Sequence, residues 1–151
     1  MITSQLKVLH VEDDPNDVLL LQRAFKKVNS QAIIQSVTDG DKAVAYLSGT
    51  EEYADREQYP LPDLILLDLK MPRKSGLEVL AWIRAQPQFK RTIVLIFTSS
   101  KHDQDIERAY DLCANSYLVK PTNLSTLTEL AIGLRSYWLR LNVPPNEPKV
   151  K

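Results

Sequence analysis

The chain of 151 residues holds one cysteine, Cys113, and two histidines, His10 and His102. A lone cysteine excludes an internal disulfide and any cysteine-based metal site. Without a histidine or cysteine cluster, nothing in the chain favours a softer metal. An excess of charge of one sign is also missing. Nineteen Lys and Arg balance nineteen Asp and Glu, and the formal net charge is zero. With no basic excess and no run of like charge, nothing argues for nucleic acid as a partner. The longest apolar runs fall far short of a membrane span. Residues 1–7 lack the charged and apolar regions of a signal peptide. No internal repeat and no low-complexity segment is present. What remains is an ordinary globular composition, 44% hydrophobic and 25% charged. The length favours one compact domain, and a reducing cytoplasm is the expected compartment.

One stretch organises the rest: Asp63-Leu64-Ile65-Leu66-Leu67-Asp68-Leu69-Lys70-Met71-Pro72. An apolar run of this kind reads as a buried strand, and a buried strand does not carry a charge without compensation. Asp68 therefore belongs at the C-terminal end of the strand, facing a crevice. Parallel α/β sheets place their ligand sites there. Pro72 and Gly76 then break the run before a helical pattern.

Around it, apolar strands alternate with amphipathic helices. The strands read as Leu6–Val11, Ala32–Val37, Leu64–Leu67, Thr92–Phe97 and Ser116–Val119. The first helix follows Pro15, with Asp14 as its cap and Val18, Leu21, Phe25 and Val28 on one face. Asp39 caps a second, Gly40 to about Ser48, with Ala43, Val44 and Leu47 facing inward. The third begins at Ser75 or Gly76, buries Leu77, Leu80 and Ile83, and ends before Pro87. The fourth runs from His102 to Cys113, with Ile106, Ala109, Tyr110 and Cys113 inward. The fifth starts at Asn123 or Ser125 and reaches about Leu141. Trp82 lies off its helix's apolar stripe and reads as surface, and Cys113 as a small core residue. His10 reads as a core or half-buried histidine. Residues 49–62 are compatible with a helix extension or with a long loop. Five such alternations imply right-handed crossovers and a parallel sheet with helices on both faces.

In such a sheet all C-terminal strand ends share one edge. Glu12 and Asp13 end the first strand, Asp68 the third, Thr98 the fourth and Lys120 the fifth. Close carboxylates repel one another, and a hard divalent cation removes the repulsion. Mg²⁺ prefers this oxygen donor set. The arrangement suits phosphoryl transfer to a carboxylate. Asp68, alone at the central strand, is the candidate nucleophile. Glu12 and Asp13 suit the metal, Lys120 offsets negative charge, and the Thr98 hydroxyl can donate to a phosphoryl oxygen.

These residues resemble the receiver domain of two-component response regulators. Val11-Glu12-Asp13-Asp14 is similar to the family's acidic pair. Leu67-Asp68-Leu69-Lys70-Met71-Pro72, with Gly76, is similar to its phosphoacceptor segment. Phe97-Thr98-Ser99 resembles its switch threonine, and Tyr117-Leu118-Val119-Lys120-Pro121 its aromatic switch and lysine. The resemblance covers roughly residues 5–140. It implies a doubly wound, flavodoxin-like five-stranded sheet in the order 2-1-3-4-5. It also implies that Lys70 lends its backbone carbonyl to Mg²⁺ and that the Lys120–Pro121 peptide is cis. Thr122 stands where many receivers have Phe, a departure that bears on the last loop and not on the phosphoacceptor. The segment before Pro62-Asp63, the phrase from Met71 to Leu80 and the ending Tyr137-Trp138-Leu139 resemble the small stand-alone regulators of phytochrome-type histidine kinases.

The resulting expectation is a receiver over residues 1–142 and a tail over 143–151, with no attached output domain. A histidine kinase is the phosphodonor, and the chain catalyses its own phosphorylation and dephosphorylation without being an enzyme on an outside substrate. Tyr117 reads either as strand packing or as a rotamer switch coupled to Thr98. The fifth helix has two apolar edges, Leu127, Leu130, Ala131, Leu134 and Trp138 on one and Ile132, Tyr137 and Leu139 partly away from it. They suggest a homodimer through the fourth helix, fifth strand and fifth helix. Two rivals fit less well. An aspartate-nucleophile phosphatase uses a second acid where Lys70 stands, and a flavin-binding protein needs a phosphate loop where Glu12-Asp13-Asp14 stands.

Overall fold

The computed structural model describes residues 5–28 and 32–145. Five strands form one parallel sheet in the order β2-β1-β3-β4-β5. They are β1 (Lys7–Val11), β2 (Ile33–Val37), β3 (Leu64–Leu67), β4 (Ile93–Thr98) and β5 (Ser116–Val119). The helices between them are α1 (Pro15–Lys27), α2 (Gly40–Ser48), α3 (Gly76–Ala85), α4 (Asp103–Asp111) and α5 (Leu124–Leu134). The order is that of the flavodoxin-like fold.

The two faces of the sheet carry separate cores, because successive strand side chains point to opposite sides. Leu64, Leu66, Leu95 and Phe97 meet Leu21, Ala24 and Phe25 of α1 and Leu127, Ala131 and Leu134 of α5. Ile65, Leu67, Val94 and Ile96 meet Ala43, Leu47, Leu80, Ile83 and Ala109 from α2, α3 and α4. All four β3 residues are buried, so the central strand touches helices on both sides. Each such side chain contributes about 1.5–3 kcal/mol on burial.

The helix starts follow capping chemistry. Asp14, Asp39, Ser75 and Asn123 each accept a hydrogen bond from a first-turn amide of α1, α2, α3 and α5. Gly76 is required by close approach rather than by flexibility. A Cβ there would lie 2.1 Å from the Asp68 carbonyl oxygen and 2.7 Å from Leu69 Cα. The start of α3 is thus pressed against the backbone that carries Asp68.

Residues 49–62 are not a helix extension. Gly49 ends α2 with φ 70°, a short 3₁₀ turn follows at Glu51–Tyr53, and the rest is loop. Arg56 pins it, donating to the carbonyls of Tyr46 and Leu47 at 2.8 Å. Tyr46, Tyr53 and Tyr59 pack ring against ring beneath. Tyr46 is buried, whereas Val44, expected inward, is half-buried.

Other expectations need correction. Cys113 is exposed, not core. It follows the end of α4 with φ 67°, a left-handed turn position that carries it out of the helical stripe. Tyr110, expected inward, is 50% exposed. Trp82 is half-buried rather than surface, because the 3₁₀ turn Pro87–Phe89 brings Phe89 against its ring in a tilted contact. The final helix reaches Leu141, but as a π-helix over Arg135–Leu141. Trp138 and Leu139, adjacent in sequence, both reach the α1/α5 core, so Leu139 is not on the outer edge. Among the described residues no peptide bond is cis, so Lys120–Pro121 is trans. The trans form of an X–Pro bond is favoured by roughly 0.5–1 kcal/mol. Of the expected tail, residues 146–151 lie outside the described residues.

Candidate functional site

The sheet order brings the C-terminal ends of β1, β3, β4 and β5 side by side. Backbone bonds hold the chain just past each end. The Asp68 amide donates to Val11 O at 3.1 Å, and the Lys120 amide donates to Thr98 O at 2.8 Å. The Glu12 amide donates to Val37 O at 3.0 Å. Glu12, Asp68 and Thr98 are buried, while Asp13 is exposed.

Carboxylate oxygens of Glu12, Asp13 and Asp68 all lie within 4.8 Å of one another. The Lys120 ammonium reaches the same place. Its Nζ lies 2.6 Å from Glu12 Oε1, 2.8 Å from Asp17 Oδ2 and 3.4 Å from Asp68 Oδ2. Lys70, whose backbone carbonyl was the expected fourth ligand, is exposed, and its amide donates to Asp68 Oδ1 at 3.4 Å.

One ammonium among these acids leaves negative charge in excess. Burial pushes the Glu12 carboxyl up to about 7, the charge of Asp68 adds to the push, and Lys120 only partly opposes it. Burial alone would lower Lys120, but its hydrogen bond to Asp17, its close contact with the Glu12 carboxylate and the charge of Asp68 win, and its affinity for the proton rises. The lysine stays charged while the most buried acid is undersupplied with positive charge. Glu12 Oε1 contacts the ammonium without a well-aligned hydrogen bond. This donor set can hold a divalent cation, because hard oxygen ligands with surplus negative charge are what such an ion requires.

His10 sits beneath, 1% exposed, with Nε2 4.0 Å from Glu12 Oε1. Burial, and then the charge of Lys120, lower it to about 3, so it is neutral.

On the other flank, Thr98 Oγ1 accepts from the Ser100 amide at 3.4 Å. The Tyr117 hydroxyl donates to the Ser100 carbonyl at 2.9 Å. The Ser100 hydroxyl donates to Asp105 Oδ2 of α4 at 2.5 Å. Tyr117 is half-buried. Its hydroxyl is raised chiefly by burial.

Sequence reasoning missed Asp17, Ser100 and Asp105. Asp17 and Asp105 sit in first helical turns, where acids are favoured by the helix dipole anyway, and that concealed them. The place of Ser100 two residues after Thr98 was the one available signal.

The sequence profile of the response regulator receiver domain matches residues 8–132. The chain is 39% identical over 132 residues to response regulator Rcp1 of Synechocystis sp., covering 87% of this chain and 88% of that protein. The crystal structure of a phosphorylated cyanobacterial phytochrome response regulator, RcpA, superposes with TM-score 0.86 at 38% identity, covering 95% and 100% of the two chains. The Mn²⁺-bound form of Rcp1 superposes with TM-score 0.81 at 38% identity, covering 93% and 99%.

Proposed function

Because this chain belongs to the response regulator receiver domain family, we propose that it relays a phosphoryl signal from a histidine kinase through Asp68. Receivers are signalling modules rather than enzymes turning over an outside substrate. The observation that carries the reading is a buried carboxylate, Asp68, with the Glu12 and Asp13 oxygens within 4.8 Å and an ammonium 3.4 Å away. An Asp68 oxygen forms a bond to phosphorus as the P–N bond of the kinase phosphohistidine breaks, and the electron pair leaves with the imidazole nitrogen. The product is an acyl phosphate, which water later cleaves in the same site. Lys120 offsets charge on the transferred oxygens, and the Thr98 hydroxyl donates to one of them. Mg²⁺ held by Glu12, Asp13, Asp68 and the Lys70 carbonyl would neutralise the acids and the incoming phosphoryl oxygens.

The output passes through protein contacts. Attraction of Thr98 toward a phosphoryl oxygen changes the Ser100 loop and with it Tyr117, a two-state element biased by local charge. Tyr110, Ile132 and Tyr137 are each about half exposed, and Val119 is 36% exposed. They support a homodimer through α4, β5 and α5. Sedimentation that finds only monomer, with and without phosphoryl donor, removes the dimer and leaves the phosphoacceptor standing. We take residues 1–142 as the receiver unit and 143–151 as a tail. A phytochrome-type kinase is the proposed donor, a pairing supported by the likeness to RcpA. Among the described residues no helix is long and apolar enough to cross a membrane, and a cytoplasmic site of action is the proposal that goes with it.

Incubation with phosphoramidate and Mg²⁺, followed by intact mass, tests the core of this reading. Wild type should gain a hydroxylamine-sensitive phosphoryl mass, and Asp68→Asn should not. Equal labelling of both would sink it.

A further inference from the structure

The Lys120 ammonium lies nearer to two other carboxylates than to Asp68. One, Glu12, belongs to the acidic cluster, whereas the other, Asp17, does not. Asp17 is the third residue of α1, and its side chain is 31% exposed against 1% for Glu12 and 6% for Asp68. The Lys120 backbone is fixed to β4 through its bond to Thr98 O. Its side chain therefore extends from the end of β5 past Asp68 to the first turn of α1, bonding to a residue 103 positions away.

We propose that Asp17 is a positioning residue that parks the Lys120 ammonium and competes for it with the phosphoryl group on Asp68. The inference rests on the receiver reading and deepens it. An ammonium has three donors, and here three carboxylates stand around them. A phosphoryl group on Asp68 brings further acceptor oxygens, so one carboxylate must yield its share. Glu12 is buried, and leaving it unpaired is costly. Asp17 can be compensated by water and by the amides of its own helix N-terminus, so it yields at least cost. Helix stabilisation alone explains an acid at this position but not its bond to Lys120.

The test uses the whole chain with phosphoramidate and Mg²⁺, timed by intact mass. Asp17→Asn should raise the rate constant for Asp68 phosphorylation by about threefold to tenfold, the range expected for loss of one partly exposed charged hydrogen bond. Asp17→Glu keeps the carboxylate and should stay near wild type. In a Lys120→Ala background, Asp17→Asn should have no effect, because the pair no longer exists. A urea midpoint for each variant identifies any that are unfolded, and for those the rate comparison passes to Asp17→Ser. An unchanged rate in a folded Asp17→Asn or Asp17→Ser overturns the inference. So does an acceleration that persists without Lys120, which would mean a general field effect. If wild type itself takes no phosphoryl group, the receiver reading fails instead, and the two failures are distinguishable.

Discussion

Thr98 and Tyr117 both hydrogen-bond to the backbone of Ser100. Thr98 Oγ1 accepts from the Ser100 amide, and the Tyr117 hydroxyl donates to the Ser100 carbonyl. Thr98 is fully buried at the site, whereas Tyr117 is half-buried toward α4. A hydrogen-bonded path through the Ser100 backbone therefore joins the threonine hydroxyl to the tyrosine hydroxyl. The connection is one residue long.

Tyr117→Phe removes only the tyrosine end of that path. A neutral hydrogen bond contributes about 0.5–1.5 kcal/mol net. Urea unfolding should show a loss of that size, while Asp68 should still accept phosphate from phosphoramidate. An unchanged midpoint would mean the bond to Ser100 holds nothing in place.

Asp13→Ala separates the acidic cluster's two roles. In EDTA the variant should be slightly more stable than wild type, because a repelling carboxylate is gone. Added Mg²⁺ should then raise the melting temperature of wild type, since binding to the folded state stabilises by mass action. It should do so much less for the variant. Thermal unfolding across a Mg²⁺ titration reads both effects.

Gly76→Ala places a methyl group against the Asp68 carbonyl, where the available distance is 2.1 Å. Backbone must move. We expect a loss of about 1–3 kcal/mol, as for other overpacked sites, and slower phosphorylation because the shifted backbone carries the acceptor. Ala at Gly133, where nothing lies within 4 Å, is the matched control and should cost nothing by contact.

Alkaline stability should depend on Tyr46. Burial raises its hydroxyl to about 12 from the usual 10.0. Between those values the unfolded chain releases the proton first, so stability is complete below about 10 and is lost as pH rises toward 12. Tyr46→Phe should lower neutral stability by about 1 kcal/mol, because the Tyr46 hydroxyl donates to Pro60 O at 2.8 Å and that bond is lost. It should also flatten the alkaline decline. Urea midpoints at pH 8 and pH 11 for both proteins give the comparison.

Much of the fold was readable because strand and helix periods are local. Leu64–Leu67 and Ile93–Phe97 are apolar runs too short for helices, and the first lies between Pro62 and Pro72. Asp39, Ser75 and Asn123 announce helix starts through their own hydrogen bonds. Where reading failed, the deciding contact was distant. Arg84 donates to the carbonyls of Thr92 at 2.7 Å and Cys113 at 2.8 Å, tying the end of α3 to two loops that no local pattern connects. Cys113 was misplaced because extrapolating a helical stripe takes no account of a left-handed turn at its end.

The order of residues along the chain, by itself, determined the alternation of strands and helices and therefore which side chains end each strand. It placed Glu12, Asp13, Asp68, Thr98 and Lys120 on one edge, because parallel crossovers leave no other arrangement. Only the tertiary structure decided how the one ammonium is divided among its neighbours, and that Asp17 shares it. Charge sharing depends on distances of a few ångströms and on unequal burial, and neither is written in sequence spacing.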